Sequence, residues 1–551
     1  MRGCLRAAGL STPFQKYRRV FATSCFGAVT DLLCSKTLKM SPGTHTLSKS
    51  TFVRGCKCLK SLYLYKFHYD LRDEVSQQQQ ALFDQGHEIG MLARSLFPGG
   101  QDATVTPAHD YTASIKRTQR ALQSGGTIYE AGFMYNGVYA AADILVIRSD
   151  GWYLYEVKSS TTVKEYHTLD AAIQYYILKN LGYPVKQVSL VCINKQYERH
   201  GAIEAEKLFS IHDITNEAIT LQDYVEDQVE IMQQMLQSGT KPNCKVGRQC
   251  NEFYSCDFHG HCWKKIDEAE YPVTAISKIG DRLWELLNKN IYCQSQIPSE
   301  YYFRLTPLQR QQISCTLEQT SPPPEIEEVK EFLQQVSQPV SFLDFETIAT
   351  AIPLFNGTHP YQQVPFQFSV HCDEGTGHFC HFEYLGDGKT DPRPELIKQL
   401  LACLPPEGSV FVYYMPFERS RLQELAEQFP RYRKQLNAIC ERLVDLIVPF
   451  RNRYVYDYRM NGSACIKSVL PALFPELDYS ELSINNGGMA SLAYLDLSCL
   501  TNKTEIAMIR ENLLEYCKLD TWAMVKLYEY LDKLTYIRTK VVPMWQEVNG
   551  E

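Results

Sequence analysis

Two acidic residues and a lysine that could carry out metal-assisted chemistry lie within residues 139–160, YAAADILVIRSDGWYLYEVKSS. Two apolar runs flank the turn signal Ser149–Gly151, which predicts a β-hairpin. Asp143 lies on its first strand, and Glu156 and Lys158 project from one face of its second strand. Two carboxylates that hold a hard divalent cation, next to a lysine, are what metal-assisted cleavage of a phosphodiester requires.

An exposed Glu/Lys pair on an amphipathic strand is the alternative interpretation, because strands that carry E-x-K are common. Three neighbouring features favour the catalytic one. Asp143 stands in an apolar strand, and residues 159–162 form a hydroxyl-rich turn after the lysine. The sequence LDAAIQYYILKNLGY then predicts a helix with Gln174 close to its apolar stripe.

The pattern D-x12-E-V-K-S, followed by a helix that contains Q-x-Y, resembles the RecB-like branch of the PD-(D/E)XK nucleases. That branch includes the CRISPR spacer-acquisition nuclease and the nuclease domain of the AddB helicase subunit. The resemblance implies that Asp143 and Glu156 bind metal and that the carbonyl of Val157 adds a ligand. It also implies that Lys158 is catalytic and that Gln174 supports the site.

The chain departs from this family at an upstream helix. RecB-like enzymes usually carry a metal-binding histidine at the end of a G-x-x-x-H motif. Here FDQGHEIGMLAR has Gly86 and then Gly90 in the histidine position. We expect Glu88 to substitute as the metal ligand, with His87 as the less favoured choice.

Three clustered cysteines and one remote cysteine predict a soft four-ligand site. Cys250, Cys256 and Cys262 are spaced C-x5-C-x5-C, and Cys56 and Cys58 lie far upstream. The set resembles RecB-like nucleases in which a 4Fe–4S cluster joins the N-terminal segment to the end of the domain. Their first ligand lies in a G-x-x-C-x-K pattern, which favours Cys58 over Cys56.

Zinc is the main alternative to iron–sulfur at these cysteines. Cys4 and Cys3His sites are usual for zinc, and His259 and His261 are close in sequence. Zinc ligands more often come in short C-x2-4-C pairs, however, and free thiols are a third interpretation. Cys244 is expected to be a spectator.

A second acidic constellation lies in the C-terminal half. SFLDFETI places Asp344 and Glu346 on one face of a hydrophobic strand, where carboxylates are costly unless they meet a metal or hydrogen-bond donors. SVFVYYMPFERSRLQEL predicts an apolar strand that ends at Glu418 and a helix after it. In LLEYCKLDTWAMVKLYEYL, Tyr516 and Asp520 lie one helical turn apart on one face.

This order of strand D-x-E, strand-end F-E and helix Y-x3-D resembles the DEDD 3′–5′ exonucleases of the RNase H-like fold. The resemblance implies that these four carboxylates hold two metal ions, Mg or Mn, while Tyr516 orients the attacking water. Glu418 takes a position that the family usually gives to aspartate. Gly462–Ser463 and Lys467 are expected to lie near the substrate strand.

These sites imply two α/β domains. Residues 46–275 are predicted to form a PD-(D/E)XK, restriction-endonuclease-like domain that ends in the cysteine cluster. Residues 276–335 are predicted as a helical connector with a proline-rich linker, and residues 336–551 as a DEDD-type RNase H-like domain. Residues 1–45 are interpreted as a disordered extension. It is either a mitochondrial-type presequence or sequence that lies upstream of a start at Met40, and we prefer the second interpretation.

The composition is that of a globular protein, with 551 residues, 44% hydrophobic content and a net charge of −7. No apolar run reaches the roughly 20 residues of a membrane helix, so we expect a cytoplasmic protein without a membrane partner. Any phosphate-binding surface must be local, because the overall charge is negative. The 19 cysteines are too sparse for a disulfide scaffold.

Together these patterns predict a metal-dependent nuclease that acts on DNA, single-stranded or at ends, in repair, recombination or defence. RNA is an open alternative as substrate. The combination of domains, with the motifs PYQQVPFQFSVH, GSACIKSVLP and YCKLDT, resembles an uncharacterised bacterial family along nearly the whole chain beyond residue 46. The second functional interpretation is a nucleic-acid-binding or scaffold protein with one or both sites degenerate. Glu418 and the missing histidine support it.

Overall fold

The computed structural model describes residues 45–252, 254–373 and 377–539. The predicted N-terminal extension therefore lies outside the described residues, apart from its last residue. The described chain is mixed α/β and forms two compact units. The first holds the residues up to Glu268 and Trp284–Asn290, and the second holds Ala269–Leu283 and the residues from Ile291 onward. Most of the predicted connector groups with the second unit.

Within the described part of the first unit, seven strands form one mixed sheet. The strands are β1 (Leu47–Ser48), β2 (Gln101–Asp102), β3 (Gly126–Tyr135), β4 (Val138–Arg148), β5 (Gly151–Lys158), β6 (Val185–Ile193) and β7 (Phe209–Asp213). β2 to β7 follow one another across the sheet, and β1 pairs with β4. β4 and β5 are antiparallel, which confirms the predicted hairpin. β5 and β6 are parallel, so the chain crosses between them through a helix.

The first unit also contains helices, several of which pack on this sheet. They are α1 (Lys49–Lys57), α2 (Leu59–Phe67), α3 (Gln77–Ala93), α4 (Tyr111–Leu122), α5 (Glu165–Asn180), α6 (Ala205–Leu208), α7 (Thr215–Thr220), α8 (Gln222–Ser238), α9 (His259–Asp267) and most of α10 (Arg282–Asn288). The crossover helix is α5, and its predicted apolar stripe is buried against the sheet. This burial fixes which residues of α5 face the hairpin.

The second unit contains a five-stranded mixed sheet among its described residues. Its strands are β8 (Ser341–Ile348), β9 (Val364–Asp373), β10 (Phe379–Leu385), β11 (Val410–Val412) and β12 (Leu443–Asp445). Their order is β10-β9-β8-β11-β12. β10, β9 and β8 pair antiparallel, whereas β11 is parallel to both β8 and β12. The central β8 is covered on both faces, with Phe342 in one apolar core and Leu343 and Phe345 in another.

The helices of the second unit are α11 (Ser299–Tyr302), α12 (Pro307–Glu318), α13 (Ile326–Gln334), α14 (Arg393–Cys403), α15 (Met415–Gln428), α16 (Arg433–Glu441), α17 (Val448–Arg451), α18 (Ile466–Leu473), α19 (Gly487–Asp496) and α20 (Lys503–Thr539). The long α20 packs on β8 and β9. No helix within the described ranges has both the length and the apolar character to cross a membrane.

One predicted strand is shorter than its sequence indicated. β11 ends at Val412, and Glu418 lies in the first turn of α15 rather than at a strand end. The chain changes direction at Tyr414, whose φ of 81° is left-handed, and Pro416 then favours the start of a helix. The apolar run was therefore a poor guide to the strand's end.

Candidate metal centres

The hairpin brings the predicted N-terminal site together. Lys158 Nζ donates to Glu156 Oε1 at 2.6 Å, and the backbone N–H of Val157 donates to Asp143 Oδ2 at 2.8 Å. From α5, Gln174 Nε2 donates to Glu156 Oε2 at 2.7 Å. We call this group of side chains the hairpin site, and the sequence pattern singled out these four of its residues.

Asp170 belongs to the hairpin site and was missed in the sequence. Its carboxylate accepts a hydrogen bond from Lys158, and its backbone carbonyl accepts one from Gln174 Nε2 at 3.0 Å. Asp170 lies four residues before Gln174 on α5, so both side chains face the same way. That helical spacing was the signal available.

Lys49, the first residue of α1, is the second missed member. Its Nζ donates to both oxygens of Glu156, at 2.8 and 2.9 Å, and lies 3.5 Å from Asp143 Oδ1. The pairing of Ser48 in β1 with Tyr139 in β4 holds the start of α1 next to the hairpin. No local pattern connects a lysine so far upstream with the acids, which is why sequence reasoning did not find it.

The two acids of the hairpin site differ in their ionisation. Burial raises the pKa of Asp143 to about 7, Glu156 adds to this rise, and Lys49 opposes it. Burial also disfavours the charged form of Glu156, but Lys158 and Lys49 outweigh it and hold the pKa of Glu156 well below its usual range. The two ammonium groups therefore balance much of the negative charge of this site.

The structure does not bring the expected fourth ligand to the hairpin site. Glu88 and His87 are exposed on α3, and no hydrogen bond or ion pair within the described chain joins either to the acids. A Cβ at Gly90 would meet no atom within 4 Å, so the histidine position is open space. Glu130 on β3 is the nearby additional acid, since its charge contributes to the raised pKa of Asp143.

The C-terminal acids form a tighter cluster. One oxygen each from Asp344, Glu346 and Asp520 lies within 4.8 Å of the other two, and this is the one such group of three or more potential ligands among the described residues. β8 supplies the first two side chains, which point to one face because they are two residues apart. α20, packed across β8, supplies Asp520. We call these three residues the acidic cluster.

No ion pair within the described ranges neutralises the acidic cluster. Burial raises the pKa of Glu346 to about 8, with repulsion from Asp520 as the next contribution. Burial, followed by repulsion from Asp520, also raises the pKa of Asp344. The pKa of Asp520 rises to about 6 through burial, although the Tyr479 hydroxyl donates to its Oδ1 at 2.8 Å. Three carboxylates, two of them buried, thus face one another, and Lys467 is a nearby cation that opposes the rise in the pKa of Glu346 and Asp520.

Tyr516 lies beside the acidic cluster, as its position one turn before Asp520 predicted. Lys467 Nζ donates to the Tyr516 hydroxyl at 2.9 Å and to the backbone carbonyl of Asn485 at 2.6 Å. Cys517 Sγ donates to Asp344 Oδ2 at 3.7 Å. Sequence reasoning pointed to Lys467 near the site but missed its direct contact with the tyrosine.

Glu418 is not part of the acidic cluster. It is 2% exposed, and its Oε2 has no hydrogen-bond partner within the described chain. Burial raises the pKa of Glu418 to about 8, and Asp445 adds to the rise. The charge of Glu418 in turn raises the pKa of Asp344, so it acts on the cluster from a distance.

A cavity of about 760 Å³ opens onto the acidic cluster. This volume is typical of small-molecule sites. Basic and aromatic side chains line it together with Gly462 and Ser463: Lys278, Arg451, Arg453, Lys467, Tyr413, Tyr414 and Tyr516. The cavity therefore offers carboxylates for a metal ion and nearby cations for an anionic substrate.

The predicted cysteines line a separate small cavity in the first unit. Cys58, Cys250, Cys256 and Cys262 contribute to it, and so does Cys244, which hydrogen-bonds with Cys58. The structure thus groups Cys244 with the predicted ligands rather than apart from them. Five thiols around one cavity are a donor set that fits iron–sulfur or zinc.

Three further observations describe the surroundings of this thiol cavity. Within the described residues, no three of its sulfurs lie within 4.8 Å of one another. Cys56 is not part of its lining and hydrogen-bonds with Tyr224. Lys57 lines the cavity, and its Nζ donates to the carbonyl of Cys250 at 3.4 Å.

Comparisons with known proteins find similarity over part of the chain. Residues 341–465 match a domain of unknown function, DUF2779. Uncharacterized protein MG366 of Mycoplasma genitalium is 28% identical over 216 residues, which cover 35% of this chain and 32% of that protein. Uncharacterized protein UU173 of Ureaplasma parvum is 29% identical over 226 residues, covering 35% of this chain and 31% of its own length. The chain thus spans about a third of the length of these relatives.

A solved structure titled "Crystal structure of SSO0001" aligns with 42% of this chain and 90% of its own, at 13% identity and a TM-score of 0.22. That score is too low to establish a shared fold. The matched domain includes Asp344, Glu346 and Glu418, whereas Asp520 lies beyond it.

Proposed function

We propose that the protein is a metal-dependent nuclease whose principal active site is the acidic cluster. The observation that carries the proposal is the mutual approach of Asp344, Glu346 and Asp520 within 4.8 Å, without an ion pair to a basic side chain in the described chain. Buried like charges are unfavourable unless they take up protons or a cation. Carboxylate oxygens are the donors that Mg²⁺ and Mn²⁺ prefer.

The topology of both units supports the family assignments behind this proposal. In the second unit, three antiparallel strands followed by two parallel ones, with the carboxylates on the central strand, are consistent with an RNase H-like exonuclease. In the first unit, an antiparallel meander, the crossover helix α5 and the parallel strand β6 are consistent with a PD-(D/E)XK nuclease. We therefore propose two nuclease-type domains in one chain.

The residues around the acidic cluster have distinct tasks in this proposal. A bound divalent ion would lower the pKa of a water and neutralise charge on the scissile phosphate. Tyr516, held by the hydrogen bond from Lys467, orients the attacking water through its hydroxyl oxygen. Lys278 and Arg451 line the cavity and offer positive charge to phosphate groups.

The expected substrate is a single strand or a strand end of DNA, with RNA as an alternative. The cavity has the volume of a small-molecule site, so it suits a short terminal segment better than a continuous duplex. Tyr413 and Tyr414 line the same cavity and can stack on unpaired bases.

We also propose that the thiol cavity binds a 4Fe–4S cluster, with zinc as the alternative. The five thiols around one cavity support this proposal. Iron–sulfur predicts visible absorbance in protein purified without oxygen and its loss in Cys250→Ser. A colourless protein that contains zinc would favour the alternative.

The position of Lys49 favours a second candidate function for the first unit. An ammonium group between Asp143 and Glu156 satisfies both acids without a metal. In this second candidate, the hairpin site no longer cleaves, and the first unit binds nucleic acid as a scaffold for the second.

A nuclease assay with two matched variants tests these proposals. End-labelled single- and double-stranded DNA and RNA are incubated with the full chain and Mg²⁺ or Mn²⁺. We expect Asp344→Ala to lower the cleavage rate by ~10²-fold or more, since it removes part of the metal centre. Glu331→Ala, at an exposed position on α13, is the control.

The outcome for Asp143→Ala separates the two candidates. An equally large loss on any substrate means that the hairpin site also cleaves, and an unchanged rate on every substrate favours the scaffold. If the parent protein cleaves none of these nucleic acids with either metal, the proposed nuclease function is wrong.

A further inference from the structure

The carboxylate of Glu156 has no free position for a metal ion in this structure. Its Oε1 accepts hydrogen bonds from Lys49 at 2.8 Å and Lys158 at 2.6 Å. Its Oε2 accepts hydrogen bonds from Lys49 at 2.9 Å and Gln174 at 2.7 Å. A carboxylate has about four acceptor positions, so all of them are used. At least one donor must leave before Glu156 can coordinate a metal ion.

Lys49 is the donor that blocks the site most directly. It touches both oxygens of Glu156 and also lies 3.5 Å from Asp143, the other expected ligand. A cation between two carboxylates occupies the space that a shared metal ion would need. Lys158 differs, because it also contacts Asp170 and keeps that partner if it moves away from Glu156.

The backbone of Lys49 is held in place, whereas its side chain can move. Leu47 N–H donates to the carbonyl of Gly137 at 2.9 Å, and Ser48 caps α1 through Thr51. The Lys49 side chain is 21% exposed, so it has a route to solvent. The lysine side chain is a flexible four-carbon stem, so a change of rotamer can move the ammonium group without any change in the sheet.

We propose that Lys49 is an internal cation that occupies the metal position of the hairpin site and is displaced when a metal ion binds. Lys49 thus sets the metal affinity of this site, and its displaced ammonium becomes available to a phosphate group nearby. The second statement rests on the proposed nuclease function, whereas the first concerns metal binding alone.

Mn²⁺ titration of the full chain tests the proposal. Asp344→Asn combined with Asp520→Asn removes the acidic cluster, so that the remaining carboxylate site is the hairpin site. In that background, Lys49→Met keeps the length of the side chain and removes its charge. We expect Mn²⁺ to bind ~10-fold or more tightly after Lys49→Met, since about 1.4 kcal/mol of competition corresponds to tenfold in affinity.

Two controls make the result specific. Lys49→Arg keeps the competing charge, and Lys186→Met removes a lysine that pairs with Asp150 at the far end of the hairpin. Both are expected to bind Mn²⁺ within about threefold of the background protein, which is less than 1 kcal/mol. Unchanged or weaker binding by Lys49→Met would overturn the proposal, and so would equal tightening in the Lys186→Met control.

If Lys49→Met folds poorly, Lys49→Gln replaces it in a second measurement of thermal stability. Removal of the ammonium leaves buried acids without their partner, so the metal-free variant is expected to melt at a lower temperature. Mn²⁺ should then raise the Tm of Lys49→Gln more than it raises the Tm of the background protein. An equal or smaller rise would contradict the displacement. Both readouts are independent of cleavage, so their failure is distinguishable from the failure of the nuclease function.

Discussion

The two acidic sites balance their charge in different ways. In the hairpin site, Lys49 and Lys158 contact the carboxylates of Glu156, Asp143 and Asp170, and the pKa of Glu156 is held below its usual range. In the acidic cluster, the carboxylates repel one another, and their pKa values are raised. Their hydrogen-bond donors are the Tyr479 hydroxyl, which contacts Asp520, and the Cys517 thiol, which contacts Asp344. Carboxylates that make no ion pair with a basic side chain of the described chain are the stronger indication of a metal centre, even though the hairpin motif is easier to recognise in sequence.

The largest expected contrast is in stability without metal. Glu156→Gln removes the acid that both lysines contact and leaves two partly buried ammonium groups with weaker partners. We expect the free energy of unfolding in EDTA to fall by roughly 3 kcal/mol, as for a broken buried ion pair. Denaturation by heat and by urea measures the change.

The matched variant in the acidic cluster should act in the opposite direction. Asp344→Asn removes one of three mutually repelling acids, so we expect the Tm in EDTA to rise by about 3 °C. If both variants destabilise the protein equally, the electrostatic contrast between the two sites is wrong.

A second contrast is the dependence of stability on pH in EDTA. The pKa values of Glu346 and Glu418 are both raised to about 8, so the folded state binds protons that the unfolded state has released above its ordinary carboxyl pKa. Stability therefore falls as the pH rises from the ordinary carboxyl range to about 8. We expect Tm to decline across this interval, and excess Mg²⁺ to reduce the decline by favouring the ionised carboxylates.

Glu346→Gln is the control for the pH experiment, because it removes one of the titrating groups. Its decline in Tm should be shallower than that of the parent. An identical slope would mean that the titrating groups lie elsewhere, for instance at Asp143, whose pKa is also raised.

The smallest expected effect comes from Glu418. It is buried but lies outside the acidic cluster, so it influences the metal through its charge rather than as a ligand in this arrangement. Glu418→Gln should weaken Mn²⁺ binding by about threefold, or less than 1 kcal/mol. Asp520→Asn should weaken Mn²⁺ binding much more, and calorimetric titration of both variants measures the difference. Equal losses would identify Glu418 as a ligand.

The sequence was most informative where chemistry is encoded by local spacing. The hairpin, α5 with Gln174, the strand with Asp344 and Glu346, and the helix with Tyr516 and Asp520 all follow from periods of two or 3.6 residues. Lys49 was out of reach, because the pairing of β1 with β4 brings it to acids about a hundred residues downstream. Glu418 was misplaced, because a left-handed residue at Tyr414 ended the strand within an apolar run.

Other parts of the site depend on packing that sequence spacing does not determine. Glu88 was expected at the hairpin site because it lies close to the histidine position of the resembled motif, yet the orientation of α3 leaves it exposed. Cys244 lacked the spacing of the other cysteines, but folding brings it to the same cavity. The positions of Glu88 and Cys244 thus depend on how segments far apart in sequence pack together.

The short helix α1 carries a consequence for how the first unit responds to its thiols. Lys49 begins this nine-residue helix, and Cys58 follows its last residue. At 1.5 Å per residue the two ends are ~13 Å apart along one stiff rod. α1 therefore links the thiol cavity and the hairpin site through one continuous helix, so a displacement of its Cys58 end would also move Lys49.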